Sequence, residues 1–331
     1  MQKMAQIVGK KGLGDTRLAV TLLDGGTGEE LMRRGLPDDR KTWSARAVTH
    51  KEHHDLLVDV HKSFLEAGSQ IITVNNYGIT QGVGFSESEV LEFTQTAAQL
   101  ARRAVQEHGS GKVCGSLPPL VESYRPDLVQ EHAKGVEMYT KIAKAMHEYV
   151  DFYLAETLSS IEEMLQAVDA VASLEGDYVR PLFCSWTVSR GAKLRSGEPV
   201  SEAISQLLQQ AEATHAPLEA VLFNCAEPEA VTEALEAAAE LKDKLEVADV
   251  RLGAYANRLT PIASDWTMAG STEPQALRDD VPPQVYCDKF ARVWVQNFGA
   301  TLIGGCCGIT PEHISVLKQT FGAESPGTTA K

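Results

Sequence analysis

Two adjacent cysteines, Cys306 and Cys307, sit between glycines in Ile303-Gly304-Gly305-Cys306-Cys307-Gly308, directly after the apolar run Ala300-Thr301-Leu302-Ile303. That pattern reads as a buried strand ending in a tight turn, poor in side chains, that presents two thiols. A third thiol, Cys225, follows Asn224 at the end of another apolar run, Ala220-Val221-Leu222-Phe223. Three soft ligands at the ends of two strands, with one coordination position open, suit a catalytic zinc ion. Each cysteine taken alone reads equally as a small buried residue, and the equivalent placement of all three favours a metal. Three thiolates would leave the ion a mild Lewis acid, better at binding and deprotonating a substrate thiol than at generating hydroxide. A metal-bound thiolate stays nucleophilic at neutral pH, where a free thiol of pKa about 8.5 is mostly protonated. Thiol alkylation is therefore favoured over hydrolysis, which would call for histidines at the strand ends. None of the nine is there.

These corners need a scaffold, and eight short β runs supply it: Leu18 to Leu23, Ile71 to Val74, Val113 to Ser116, Phe152 to Ala155, Pro181 to Ser185, Ala220 to Phe223, Val250 to Tyr255 and Ala300 to Ile303. They alternate with helical patterns and show no break in composition, which predicts a single-domain α/β fold of the (β/α)8 barrel type over 17–322. Residues 1–16 read as a flexible lead-in and 323–331 as a frayed tail. The polar residues collect where the runs end, at Asp24, Asn76, Tyr77, Ser116, Glu156, Asn257 and the three cysteines. Barrel active sites are built on that rim. Asp24 opens the turn Asp24-Gly25-Gly26-Thr27-Gly28, where it could accept from an ammonium group or cap the turn that follows. A helix is expected from Thr49 to Ala67, with His53, His54 and His61 turned to solvent. The connection from Arg258 to Pro283 has the length of a lid or binding loop. Cys114, Cys184 and Cys287 are assigned to packing.

The chain has 331 residues, 43% of them hydrophobic, and a net charge of −14. That charge argues against a nucleic-acid or anionic-membrane surface. There is no apolar core of a signal peptide near the start and no run of eighteen apolar residues. Six cysteines in so long a chain do not make a disulfide scaffold. A cytoplasmic protein with free thiols is the expectation.

The chain resembles the homocysteine S-methyltransferase family from Leu22 to about Leu317. The resemblance rests on Asp24-Gly25-Gly26-Thr27-Gly28-Glu29-Glu30-Leu31, Trp43-Ser44-Ala45-Arg46-Ala47, Asn76-Tyr77, Gly115-Ser116, Glu156-Thr157, Asn224-Cys225 and Gly304-Gly305-Cys306-Cys307-Gly308. It implies zinc-dependent methyl transfer to homocysteine, giving methionine, with Cys225, Cys306 and Cys307 as the Zn2+ ligands. It further implies that Asp24 and Glu156 hold the homocysteine ammonium, that Gly25, Gly26 and Asn224 lie at the substrate, and that Trp43 and Tyr77 face the methyl donor. Trp186 and Trp266 are further aromatic candidates for a cationic donor. S-methylmethionine or a similar sulfonium is the first choice of donor and betaine the second; Pro118-Pro119-Leu120 departs from the Gly-Pro-containing version of the betaine branch, which leaves the donor open. Two alternatives remain at this level: a non-catalytic zinc- or thiol-binding barrel, and an acceptor that is another thiol or a selenol such as selenocysteine.

Overall fold

Strand alternation explains where the polar rim comes from. In the computed structural model, which describes residues 19–39, 42–245, 249–262 and 275–322, the strands are β1 (Thr21–Leu22), β2 (Ile71–Thr73), β3 (Lys112–Leu117), β4 (Phe152–Leu158), β5 (Leu182–Ser189), β6 (Leu218–Asn224), β7 (Arg251–Tyr255) and β8 (Ala300–Ile303). From β2 to β8 each strand pairs in parallel with the next in the order of the chain, and β8 pairs in parallel with β1. Parallel neighbours require a crossover, and helices provide it. They are α1 (Thr27–Arg33), α2 (His54–Ala67), α3 (Glu87–His108), α4 (His132–Met146), α5 (Ile161–Ala172), α6 (Val200–Thr214), α7 (Pro228–Leu245), a composite α8 over 283–298 with a π turn at Tyr286–Ala291, and α9 (Pro311–Phe321). The result is a (β/α)8 barrel. No helix among the described residues is long and apolar enough to cross a membrane.

The seam between β1 and β2 is closed without a ladder. The Gln70 N–H donates to Leu22 O at 2.7 Å, and the Leu22 N–H to Gln70 Oε1 at 3.0 Å. Above them Asp24 takes the Thr73 N–H on Oδ2 at 2.7 Å and the Thr73 hydroxyl on Oδ1 at 3.1 Å. Asp24 therefore stitches the barrel shut and does not cap its own turn.

Residues two apart share a face. In β4 that puts Phe152 and Leu154 inside the barrel, where Phe152 stacks on Phe183 with ring centroids 4.9 Å apart, and Glu156 above them at the mouth. Ser116, Ser185, Asn224 and Tyr255 complete a buried polar layer over this apolar plug. Cys114 is inside the plug, and Cys184 and Cys287 are in the shell between strands and helices.

Three local expectations change. The helix drawn from Thr49 breaks at His50, whose extended backbone separates a short helix at Arg46–Thr49 from a turn at Lys51–His53 that leads into α2. His61 is fully buried, not exposed, because the 3.6-residue period places it on the same face as Leu57 and Phe64. Neither ring nitrogen has a partner and burial pushes its pKa down to about 4, so it is a neutral core side chain. Strand β5 runs on to Ser189, held by a short antiparallel partner at Lys193–Leu194. Trp186 thus points outward into the helix shell, with its indole N–H on Ser160 O at 3.1 Å, and does not reach the mouth. Trp266, residues 1–16 and the tail from 323 lie outside the described residues.

Candidate active site

The cysteine turn is fastened from both sides by main chain. Gly304 N–H donates to Ala254 O at 3.0 Å, Gly305 N–H to Asp24 O at 2.9 Å and Cys306 N–H to Ala256 O at 2.9 Å. Gly26 N–H goes to Ile309 O at 2.9 Å, and the Tyr286 hydroxyl to Gly304 O at 2.7 Å. The loops after β1, β7 and β8 are in this way one unit. Thr310 caps α9 as expected, pairing with His313 Nδ1, and Pro311 takes its first position.

Cys225 reaches the same place from β6. Its left-handed backbone, φ 48°, turns the side chain out of the strand's alternation toward the β8 pair. Sγ of Cys225 is 3.8 Å from that of Cys307, which is 3.9 Å from that of Cys306. Sulfurs about 2.3 Å from a central ion in a tetrahedral site are about 3.8 Å from one another. The three side chains are thus spaced to hold a metal ion. Hydrogen bonds from Cys306 and Cys307 hold the Cys225 thiol well below its usual range, and the same contacts with Cys225 hold Cys306 and Cys307 above theirs.

These sulfurs open onto a cavity of about 440 Å³ at the C-terminal end of the barrel. Asp24, Gly25, Gly26, Trp43, Tyr77 and Glu156 also line it, together with the three cysteines. Asn224 does not. It lies a layer lower, accepting from the Thr157 N–H at 3.0 Å and the Ser185 hydroxyl at 2.8 Å and donating to Thr157 Oγ1 at 2.8 Å. Its place is under the rim, fixing the turn after Glu156. Gly26 has given its N–H to Ile309, which leaves Gly25 as the point of close approach to a ligand.

Glu156 accepts from the Ser116 hydroxyl, and from the Tyr255 hydroxyl at 3.4 Å. Burial pushes its carboxyl up to about 8 and that of Asp24 up to about 7. Both side chains face one pocket in need of a cation. On the opposite wall Trp43 and Tyr77 meet edge to face, centroids 6.4 Å apart, and the Tyr77 hydroxyl is 2.7 Å from Ser123 Oγ.

The indole of Trp43 lies directly on Gly28, and a Cβ there would overlap its ring. Gly28→Ala should gain about 1 kcal/mol of helix propensity and lose about 1–3 kcal/mol to overpacking. A net loss of stability in urea unfolding is the expected result, and a gain would show that the indole moves freely.

Two lining residues were not singled out from sequence. Glu29, in the first turn of α1, turns its carboxylate inward beside Cys307, and its buried Oε2 has no hydrogen-bond donor. An orphaned carboxylate oxygen next to three thiols marks surroundings that call for a cation. Tyr124 comes from the proline-bearing loop after β3, and its hydroxyl lies 3.0 Å from Cys225 Sγ. Neither position is announced by spacing, since each depends on how a turn is wound. Of the connection after β7, residues 263–274 lie outside the described residues; in its limbs Leu259 bridges Leu277, and Leu259, Ile262, Gln275 and Leu277 line the cavity.

A family model described as homocysteine S-methyltransferase matches residues 21–321. The homocysteine S-methyltransferase of Escherichia coli is 26% identical over 322 residues, spanning 90% of this chain and 94% of its own length. Betaine–homocysteine S-methyltransferase 1 of Rattus norvegicus is 25% identical over 337 residues, spanning 97% of this chain and 78% of its own. The crystal structure of the metallated form of the E. coli homocysteine methyltransferase MmuM superposes with a TM-score of 0.70 at 23% identity, covering 91% of this chain and 96% of that one. At that identity it shows the barrel.

Proposed function

The chain belongs to the homocysteine S-methyltransferase family, and from that premise we propose that it moves a methyl group from S-methylmethionine, or a similar sulfonium, to the thiolate of homocysteine, with Zn2+ held by Cys225, Cys306 and Cys307. As a member of that family it is a methyltransferase. The observation that carries the finer reading is the convergence of three sulfurs, all within 4.8 Å of one another, on a cavity that two buried carboxylates also line. When bound, the metal supplies the Lewis acidity that keeps a substrate thiol deprotonated at neutral pH.

The chain's own residues do the rest. Asp24 and Glu156 take the acceptor's ammonium, and ionised carboxylates become stable in this buried place once that charge arrives. Gly25, whose missing side chain lets the Ile309 carbonyl and Phe64 pack behind it, presents its main chain to the amino-acid end. Trp43 and Tyr77 offer ring faces to a cationic methyl donor. Leu259, Ile262 and Leu277 give the cavity an apolar wall, and a drier site strengthens the electrostatics inside. With acceptor and donor aligned, the sulfur lone pair forms the new S–CH3 bond as the donor's C–S bond breaks, and the donor leaves as a neutral thioether. Orientation of this kind is worth about 7–11 kcal/mol in model systems.

Charge separates the donors. Four carboxylates, Asp24, Glu29, Asp38 and Glu156, line the cavity, and among the described residues no Lys, Arg or His does. S-methylmethionine carries an ammonium and a sulfonium against one carboxylate, a net positive charge that this acidic lining attracts, whereas betaine and dimethylsulfoniopropionate are net-neutral zwitterions that gain less from it. Assaying methionine formation with these three donors and S-adenosylmethionine in parallel should give S-methylmethionine the highest kcat/KM, by about tenfold or more over the zwitterions. A preference for betaine would overturn the donor assignment.

A further inference from the structure

Among the described residues, six non-glycine residues have a left-handed backbone, and four of them, Trp43, Tyr124, Thr157 and Cys225, line the same cavity. Such conformations cost of order 1–3 kcal/mol and persist where the surroundings over-determine them. Asn224 ties down Thr157, and the turn at Cys225 carries its sulfur to the β8 pair. Tyr124 has φ 64°, and it is tied to both the sulfurs and the loop after β7. Its hydroxyl is 3.0 Å from Cys225 Sγ, its ring lies under the Arg195 guanidinium at 5.0 Å, and Arg195 in turn donates to Ile262 O in that loop at 3.2 Å. Its neighbour Ser123 holds the Tyr77 hydroxyl at 2.7 Å. One turn of chain therefore touches both the sulfur cluster and the aromatic wall.

We propose that Tyr124 is a positioning residue for the metal cluster, donating its hydroxyl hydrogen to the Cys225 sulfur and fixing that ligand's direction and charge. The inference rests on the metal reading above and extends it to a residue outside the ligand set. A thiolate bound to a cation can only accept, so the phenol is the donor in this pair. A donated hydrogen bond draws charge off the sulfur, which weakens its donation to the ion and leaves the ion more acidic toward a substrate thiol. It also locks the side chain of the one ligand that comes from β6, the strand farther from the paired cysteines.

Tyr124→Phe keeps the ring under Arg195 and removes only the hydroxyl. Zinc affinity, measured by competition with a chelator, is expected to be about 10–100-fold weaker in the variant, because losing the lock on the ligand's direction outweighs the gain in sulfur donation. In the cobalt-substituted proteins the sulfur-to-metal charge-transfer band should move to lower energy in the variant, a change that loosened packing alone would not produce. Ser123→Ala, which disturbs the same turn but spares the Cys225 contact, should leave that band in place. Equal zinc affinity and an unmoved band in a folded Tyr124→Phe protein would overturn the proposal while leaving the function intact. If instead wild type takes up no zinc, the metal reading itself falls.

Discussion

Cys306→Ser is expected to release the metal and abolish methyl transfer while leaving the barrel folded. A serine hydroxyl is a hard, protonated ligand at neutral pH and does not replace a thiolate on a borderline-soft ion. The loss should exceed the 10–100-fold that outer partners of a metal ligand typically cost, because a direct ligand is removed. The main-chain bonds at Gly304, Gly305 and Cys306 that hold the turn do not use the side chain, so the fold has no reason to change. Cys114→Ser is the informative contrast. That thiol lies in the apolar plug of the barrel, and its replacement should lower stability without touching metal content. Metal analysis and urea unfolding on the two variants separate the roles. Full zinc occupancy in Cys306→Ser would contradict the ligand set.

Glu156→Gln should cost about 2–5 kcal/mol in acceptor binding, the range for removing one partner of a buried charge pair. That corresponds to roughly 30- to 5,000-fold in kcat/KM for homocysteine. Zinc content should stay at the wild-type level. The two buried carboxyls also make a pH prediction. Burial raises Asp24 to about 7 and Glu156 to about 8, and an ammonium group binds their ionised forms. Affinity for an amino-acid ligand should therefore rise as pH rises through about 7 to 8. Methionine is the better probe than homocysteine, since it has no thiol to titrate in the same window. In Glu156→Gln the rise attributed to the higher group disappears. The same shifts fix the sign for stability. Folded values above the unfolded values of about 4 mean that the proton stabilises the unliganded fold, and this contribution is lost as pH climbs through about 7 to 8. A bound ammonium should offset that loss. Methionine affinity that is flat with pH and unchanged by Glu156→Gln would place the ammonium elsewhere.

Much of this site was readable because strand alternation and Cys-Gly spacing are one-dimensional signals. Eight apolar runs with polar ends gave the barrel and its mouth, and the cysteines after two of these runs gave the three-sulfur cluster. What escaped depends on single dihedral angles. Asn224 and Cys225 are adjacent, yet the first follows the strand's alternation into the barrel while the second escapes it through a left-handed residue. Only Cys225 reaches the cavity. Tyr124 is delivered by another such residue, and Glu29 by where α1 begins. His61 is different, because its signal was present. It falls on the apolar period of α2 between Leu57 and Phe64, and its residue type outweighed its position in the reading of the sequence. Trp186 was misplaced because β5 is lengthened by a hairpin partner that no residue run announces.

The account stands most directly on the sulfur of the acceptor joining those of Cys225, Cys306 and Cys307. X-ray absorption at the selenium edge, with selenohomocysteine added to the zinc-loaded protein, measures it. The account predicts a zinc neighbour at bonding distance from the selenium, absent when the same ligand is added to Cys306→Ser. Selenium with only carbon neighbours in the zinc-loaded wild type would contradict it.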